Sequence, residues 1–571
     1  MTTDMTTDMT TDLTTIDAYR LQPAFAQQMQ NLLGQHFLRD ANMWPMYRDP
    51  TLNRLVEGRR NSFVPPQQRL DAYPQGAELL AQLRTLSDIP RHTSSPGGVH
   101  PLLQFAATLS KNWEDPASVE NVITTPSDPA LMGSILGTVA NANLVYSEYA
   151  GFAEDLEAMV VRQIATLAGY NPAQATGIFT QGGTFCNLYG YLLGIRKSLP
   201  LAREYGLEHG QDYRIINSQG GHYSNITNLS LLGVNLRRKV IRVRVRPSND
   251  LDIVDLERQL RSCFQLGCVV PTIMLTMGTT DTFGVDRVLP VMELRDRLCE
   301  EFEVVVKPHI HVDSAVGWPL IFFLDYDFDQ NPLCINAATL PSLRRHVDAF
   351  QELRYADSFT VDFQKWGYVP YTSSLVMIRD RADLKALEHD PENFSYFDRD
   401  VEGQSHLHAT IECSRGAAGM FGAASALMHL GVDGYRRLIA NSLQNANYFR
   451  FRLSGLPWVV MPAAQNQGPS VGFRIYDPAR VKDAEAEFQS EVALTIKHER
   501  LELNSRYHRA NFLARGKHGL YTNWIEALAL GAYDSLGRTH RVPGEKAVFF
   551  NPHCTYAQID AFIERLVQSV K

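Results

Sequence analysis

The sequence predicts an α/β protein with a mostly parallel sheet, a helical segment before it and a smaller α+β domain after it. Three observations carry that reading. Between about residues 117 and 385, helical patterns alternate with short β-branched runs, the element order of a helix-covered parallel sheet. Two of those runs lead into a charged residue: Asp313 after Ile310-His-Val312, and Lys365 after Phe359-Thr-Val361. The chain has 571 residues, enough for several structural units and a large core.

Composition narrows the function before any motif is read. The net charge of −8 argues against general nucleic-acid binding. No basic run marks a membrane surface. No apolar stretch is long enough to span a bilayer; Trp318-Pro-Leu-Ile-Phe-Phe-Leu324 is core-sized. The seven cysteines are scattered, Cys263 and Cys268 are too widely spaced for a CxxC site, and no His/Cys cluster accompanies them. Reduced cytosolic thiols and no metal are expected. The N-terminus lacks a basic region followed by an apolar one, so no secretory signal is expected.

Taken in order, residues 1–12 are three copies of Met-Thr-Thr-Asp or a close variant, which predicts a disordered tail over residues 1–16. Residues 17–116 read as a helical domain broken at Pro65-Pro66, Pro74 and Ser95-Pro96-Gly97-Gly98. The large domain is placed at residues 117–400 and the small C-terminal domain at 401–571. Residues 155–167 predict a helix with Leu156, Met159, Val160, Ile164 and Leu167 on one face. Strands are predicted at Val269–Thr276, Val304–Val312 and Ser358–Val361.

Five stretches carry possible chemistry. In Thr180-Gln-Gly-Gly-Thr-Phe-Cys-Asn187 a strand ends near Phe179, two glycines turn the chain, and a helix continues from Asn187. Free N–H groups there, with the Thr184 hydroxyl, suit a phosphate; a plain turn reads the same way. His222-Tyr-Ser224 is either a rim loop or a ring that stacks on a flat heteroaromatic. Leu275-Thr-Met-Gly-Thr-Thr280 delivers small hydroxyl residues to the carboxyl edge of the sheet, where ligands bind in open α/β folds; it also reads as a simple turn. Asp313 leaves an apolar strand at its tip, and a buried carboxylate needs a cationic partner. A protonated pyridine would serve: at about 4 Å and an effective dielectric of about 20 the attraction is on the order of 4 kcal/mol. Lys365, in apolar company, is expected to lose pKa and gain nucleophilicity, unless it snorkels to the surface. A lysine that condenses with an aldehyde and an aspartate that keeps a ring nitrogen protonated are the minimum equipment for pyridoxal 5'-phosphate.

The order of these pieces is more specific than any one of them. Gln181-Gly-Gly-Thr184 with Asn187, His222-Tyr-Ser224, Met277-Gly-Thr-Thr280, His311-Val-Asp313-Ser-Ala315 and Ala356-Asp-Ser-Phe-Thr-Val-Asp-Phe-Gln-Lys365-Trp366 resemble the group II pyridoxal-phosphate-dependent amino-acid decarboxylases. The run Lys365-Trp-Gly-Tyr-Val-Pro-Tyr371 looks most like the bacterial tyrosine-decarboxylase-type members. The resemblance covers roughly residues 120–440. It implies fold type I of the pyridoxal-phosphate-dependent transferases, with a mostly parallel, seven-stranded sheet flanked by helices. It implies that Lys365 forms the Schiff base, that Asp313 pairs with the ring nitrogen, and that His222 stacks on the ring and assists proton transfer. Gly182, Gly183 and Thr184 would hold phosphate, with Asp362 or Gln364 nearby. Asn187 and Thr279 would lie near the cofactor or the substrate carboxylate. The implied reaction converts an L-amino acid to its amine through a quinonoid, in a cytoplasmic homodimer whose active site sits at the subunit interface.

Two departures from the family's pattern bear on the reaction. Gln364 stands where histidine is usual, and it can neither carry charge nor shuttle protons. The stretch Gly403–Arg415, where many members place a catalytic tyrosine, holds His406 and His408 instead, with Tyr396 upstream. His408, His406 and Tyr396 are therefore the candidate proton donors. Loss of the tyrosine also leaves open an oxidative decarboxylase–deaminase that forms an aldehyde, or a carbon–carbon lyase. A non-catalytic scaffold on the same fold is disfavoured because Lys365 and Asp313 are both present.

Overall fold

A computed structural model describes residues 13–50, 52–53, 56, 70–89, 91, 100–389, 406–516, 519–528 and 540–570. Its centre is a seven-stranded sheet: β1 Thr176–Thr180, β2 Ile215–Ser218, β3 Val240–Val243, β4 Thr272–Thr276, β5 His309–Asp313, β6 Ser358–Asp362 and β7 Ser374–Ile378. The order is β1-β7-β6-β5-β4-β2-β3, and only β7 runs against the rest. The mostly parallel sheet that the sequence predicts is thus present.

Strict alternation divides each strand between two cores. Ile178, Ile215 and Met274 face helices Gly183–Ser198 and Ser224–Leu231. Their neighbours Phe179, Ile216, Ile273 and Leu275 face helices Ala153–Ala168, Ile253–Gln265, Val288–Glu301 and Leu340–Phe350. With both faces covered, β1, β2, β4, β5, β6 and β7 are buried at every residue, polar side chains included. The Gly183 helix lies close on the sheet because it carries glycine at two contacts. A Cβ on Gly190 would sit 2.3 Å from the His311 ring, and one on Gly194 would sit 2.1 Å from Thr272 Oγ1. That close approach brings the first turns of the helix over the tips of β5 and β6.

A second sheet follows the helix Ala418–Ser454, which bends at Gly431 (φ 60°). Its strands are β8 Val459–Val460, β9 Ser470–Ile475, β10 Asn523–Ile525 and β11 Gly544–Val548, in the antiparallel order β10-β11-β9-β8. Helix Tyr556–Val570 covers it.

Several expectations change. The tail expected to residue 16 is shorter, because Leu13–Tyr19 is helical; the Met-Thr-Thr-Asp copies, Pro65-Pro66 and Ser95–Gly98 lie outside the described residues. The run Val304-Val-Val is not strand: Val305 is 95 % exposed, and Pro308 separates the run from β5. The helix after the glycine turn begins at Gly183, not Asn187. Among the described residues no helix is long and apolar enough to cross a membrane, and no group of acidic, histidine or cysteine side chains could hold a metal ion.

Candidate active site

The loops after β1, β2, β4, β5 and β6 open onto one cavity of about 1240 Å³ at the carboxyl edge of the sheet. Gly182, Gly183, Thr184, Asn187, His222, Thr279, Asp313, Asp362, Gln364 and Lys365 all line it. The sequence separates these residues by up to 183 positions; the parallel strand order brings them together.

Asp313 and Asp362 end the neighbouring strands β5 and β6. Asp313 is 6 % exposed. Its Oδ2 accepts from Asn187 Nδ2 at 2.9 Å, and its Oδ1 accepts from the Ala315 amide at 3.2 Å. Among the described residues it forms no ion pair. Lys365 reaches the same cavity from the turn after β6, its Nζ 3.0 Å from Asp362 Oδ2. Here the geometry reverses an expectation. Burial does press the Lys365 pKa down, but the Asp362 and Asp313 carboxylates outweigh it and hold the ammonium above the ordinary lysine value.

The Gly183 helix presents its first amides to the cavity. Those of Gly183 and Thr184 have no carbonyl a turn earlier to bond, which makes the end an anion site. Gly182 adopts φ 132°, outside the range of ordinary side chains. His222 is held by the Ser224 amide, which donates to Nδ1 at 3.2 Å, so the ring proton sits on Nε2. Burial and Lys365 lower the His222 pKa against the pull of Asp313, leaving a neutral ring at pH 7. Thr279 uses its hydroxyl inside its own loop, accepting from the Gly284 amide at 2.7 Å. Gln364 is likewise engaged: its Nε2 donates to Ser374 Oγ at 2.8 Å and its Oε1 accepts from the Ser373 amide at 2.9 Å.

The candidate proton donors separate. His406 lines another cavity, at the amino end of β1, and His408 does not line the cavity of Lys365. Tyr396 lies outside the described residues. Lys546, which sequence reasoning missed, and Tyr371, which it met as the end of the run from Lys365 without assigning it to the site, also line the cavity. Lys546 reaches in from β11 and pairs with Asp281 at 2.6 Å. Tyr371 stands half-exposed at the mouth, its pKa raised by burial and Asp362 against Lys365. A register of paired strands would have been needed to find Lys546, because nothing near it in sequence marks a site.

The pyridoxal-dependent decarboxylase conserved domain matches residues 103–326 and 333–476, more than half of the chain, and the chain belongs to that family. It is 26 % identical over 335 residues to L-2,4-diaminobutyrate decarboxylase of Rhizobium meliloti, covering 58 % of this chain and 59 % of that one. It is 25 % identical over 395 residues to L-tyrosine decarboxylase of Enterococcus faecium, covering 58 % and 63 %. The chain thus spans about three fifths of these curated relatives. Among solved structures, mouse CSAD superposes with a TM-score of 0.67 at 18 % identity, over 96 % of this chain and 98 % of that one; this likeness is one of fold.

The family's cofactor is pyridoxal phosphate, and the residues present fit it. The buried Asp313 carboxylate, with no ion pair among the described residues, suits a protonated ring nitrogen. The Gly183 amides would suit a phosphate, and the Lys365 amine in the same cavity would suit the aldehyde.

Proposed function

We propose that the protein removes the carboxyl group of an L-amino acid as carbon dioxide and releases the amine, with pyridoxal phosphate attached through Lys365. One observation carries the reading: a largely buried lysine in the turn just after β6 and, at the end of the neighbouring β5, a buried aspartate with no ion pair among the described residues face one cavity. When bound, the cofactor supplies an aldehyde carbon for the lysine and a conjugated ring that takes up the electron pair left by carbon dioxide.

The chain's own residues do the rest. Gly182, Gly183 and Thr184 hold the phosphate at the helix N-terminus. Asp313 keeps the proton on the ring nitrogen, and Asn187 aims Asp313. His222 offers an uncharged ring to the cofactor's face. Lys546 is the buried cation left for a substrate carboxylate, with Asp281 as its resting partner. An aromatic substrate is favoured by the tyrosine-decarboxylase-like run from Lys365 to Tyr371. The working form is a homodimer, a reading supported by exposed apolar side chains, among them Val139 on helix Asp128–Ala140 at 78 % and Phe152, just before helix Ala153–Ala168, at 88 %. The compartment is the cytoplasm, a reading supported by seven unpaired cysteines.

The test is a panel of L-amino acids that includes tyrosine and 2,4-diaminobutyrate, with carbon dioxide measured and products identified by mass spectrometry. Amine and carbon dioxide in equal amounts, abolished by Lys365→Ala, are expected. No carbon dioxide from any member would overturn the proposal; an aldehyde with ammonia and peroxide would replace it by the oxidative reaction.

A further inference from the structure

Asp362 is engaged on both oxygens. It is 2 % exposed; Oδ2 faces Lys365 Nζ at 3.0 Å, and Oδ1 accepts the Ser374 hydroxyl at 2.5 Å. Asp362 and Ser374 are direct partners in the antiparallel register of β6 and β7, so the strand pair itself sets their contact. Gly183 leaves the space, since a Cβ there would lie 2.7 Å from Asp362 Oδ2.

The direction of each proton follows from one backbone group. The Ser373 N–H can only donate, and it meets Gln364 Oε1 at 2.9 Å. That fixes the amide, so Gln364 Nε2 faces Ser374 and donates to its hydroxyl at 2.8 Å. Ser374 Oγ also lies 3.2 Å from Gln364 Oε1, but the hydroxyl has a single proton. The carboxylate is charged and nearer, and takes it. A chain of donors therefore runs from Gln364 through Ser374 and ends on Asp362, to which the lysine ammonium donates from the other side. Glutamine does not titrate where histidine does, so this orientation does not change with pH.

We propose that Asp362, oriented by Ser374 and Gln364, is the resting partner of the Lys365 amine, and that Ser374 and Gln364 are positioning residues that govern when this amine is free to bond to a carbonyl. An ammonium has no lone pair. It must give up one proton before the nitrogen can attack, and Asp362 Oδ2 is the acceptor within reach. Three further groups act on the same charge: Asp313 from β5, His222 from the loop after β2, and Tyr371 from the segment between β6 and β7. The inference rests on the proposed function only in taking Lys365 as the attachment point. Its test uses neither cofactor nor substrate, so a failure to decarboxylate would leave it standing.

The experiment is pulse acylation of the full chain, stripped of cofactor, across a pH series, with the Lys365 peptide quantified by mass spectrometry against the exposed Lys307. In the unmodified chain Lys365 should acylate with a midpoint above that of Lys307. Asp362→Asn should lower the Lys365 midpoint by at least about one pH unit, which is about a tenfold faster reaction at a fixed pH below the midpoint. Ser374→Ala and Gln364→Leu should shift it less, in the same direction, and Ser374→Thr should restore it. A side chain that only supports the fold would change the melting temperature and leave the midpoint in place. An unmoved midpoint in Asp362→Asn, or equal midpoints in Ser374→Ala and Ser374→Thr, overturns the proposal. If circular dichroism shows Asp362→Asn unfolded, the Ser374 pair decides.

Discussion

Asn187 has no choice about which end of its amide faces Asp313. A carboxylate only accepts, so Nδ2 must point to it, at 2.9 Å, and Oδ1 turns to the Thr360 hydroxyl at 2.8 Å. Thr360 has then spent its proton, so His311 Nε2, 3.0 Å away, must carry its own. Burial keeps His311 neutral, well below the usual histidine range, so Nδ1 accepts from Ser358 Oγ at 2.7 Å. Ser358 in turn accepts from His309 Nε2 at 2.7 Å. The donors end on the carboxylate proposed to hold the ring nitrogen. Replacing Asn187 by alanine should cost one charge-assisted hydrogen bond, about 1.5–3 kcal/mol, and so lower kcat/KM about ten- to hundredfold. Steady-state kinetics would check it, and an unchanged kcat/KM would refute the role. Much of this was legible in the sequence. His309, His311 and Asp313 alternate with apolar residues, which places three polar groups on one face of a buried strand. The reading of Asp313 came from the apolar run that ends at it, and that alternation went unused; the partners Asn187 and Thr360 needed the sheet order. Lys546 was not legible at all, because its place depends on how the second sheet packs on the first.

The Gly183–Ser198 helix shows what decides position at the scale of an element. Its register over β5 depends on Gly190, where a Cβ would fall 2.3 Å from the His311 ring. Gly190→Ala must therefore push the helix from the sheet or twist the ring, an overpacking cost of about 1–3 kcal/mol. Because Asn187 lies one turn earlier, the same shift should lengthen its bond to Asp313 and weaken cofactor binding. A lower melting temperature together with a raised Kd for pyridoxal phosphate is expected; a stability loss with unchanged Kd would separate the helix seat from the site. The sequence predicted a helix here but started it at Asn187, since the apolar pattern begins there. Gly183 to Cys186 give no periodic signal, and their helical form comes from the turn at Gly182 and contact with β6. Val304-Val-Val misled in the opposite way: its β-branched residues match a strand, but Pro308 interrupts the run and Val305 is left in solvent.

Over the whole molecule, the buried histidines set how stability responds to acid. Burial lowers His309 and His346 to about 4 and holds His311 well below the usual histidine range. In the unfolded chain each takes a proton near pH 6.5. Between that value and about 4 the unfolded state binds more protons than the folded one, so stability falls as pH falls through this window and is level above it. Asp286 acts with the opposite sign. Burial raises it to about 6, so the folded state binds the extra proton between its unfolded value and there, and stability rises as pH falls. His406 and the buried His508 are lowered as well and act on the same side as these three, so the histidines outweigh Asp286 and stability falls as pH falls. Urea unfolding at pH 7 and pH 5 should show a clear drop in the midpoint. His346 is the group to vary, because it packs against Phe283 at 5.2 Å and does not line the cavity of Lys365. In His346→Gln one titrating group is gone, and the loss between the two pH values should shrink by about 1.5–2 kcal/mol. An equal loss in both chains would mean that His346 takes its proton in the fold as readily as in the unfolded chain, and the acid response would then come from the other buried histidines and from carboxylates held low by arginine, such as Glu157 beside Arg415.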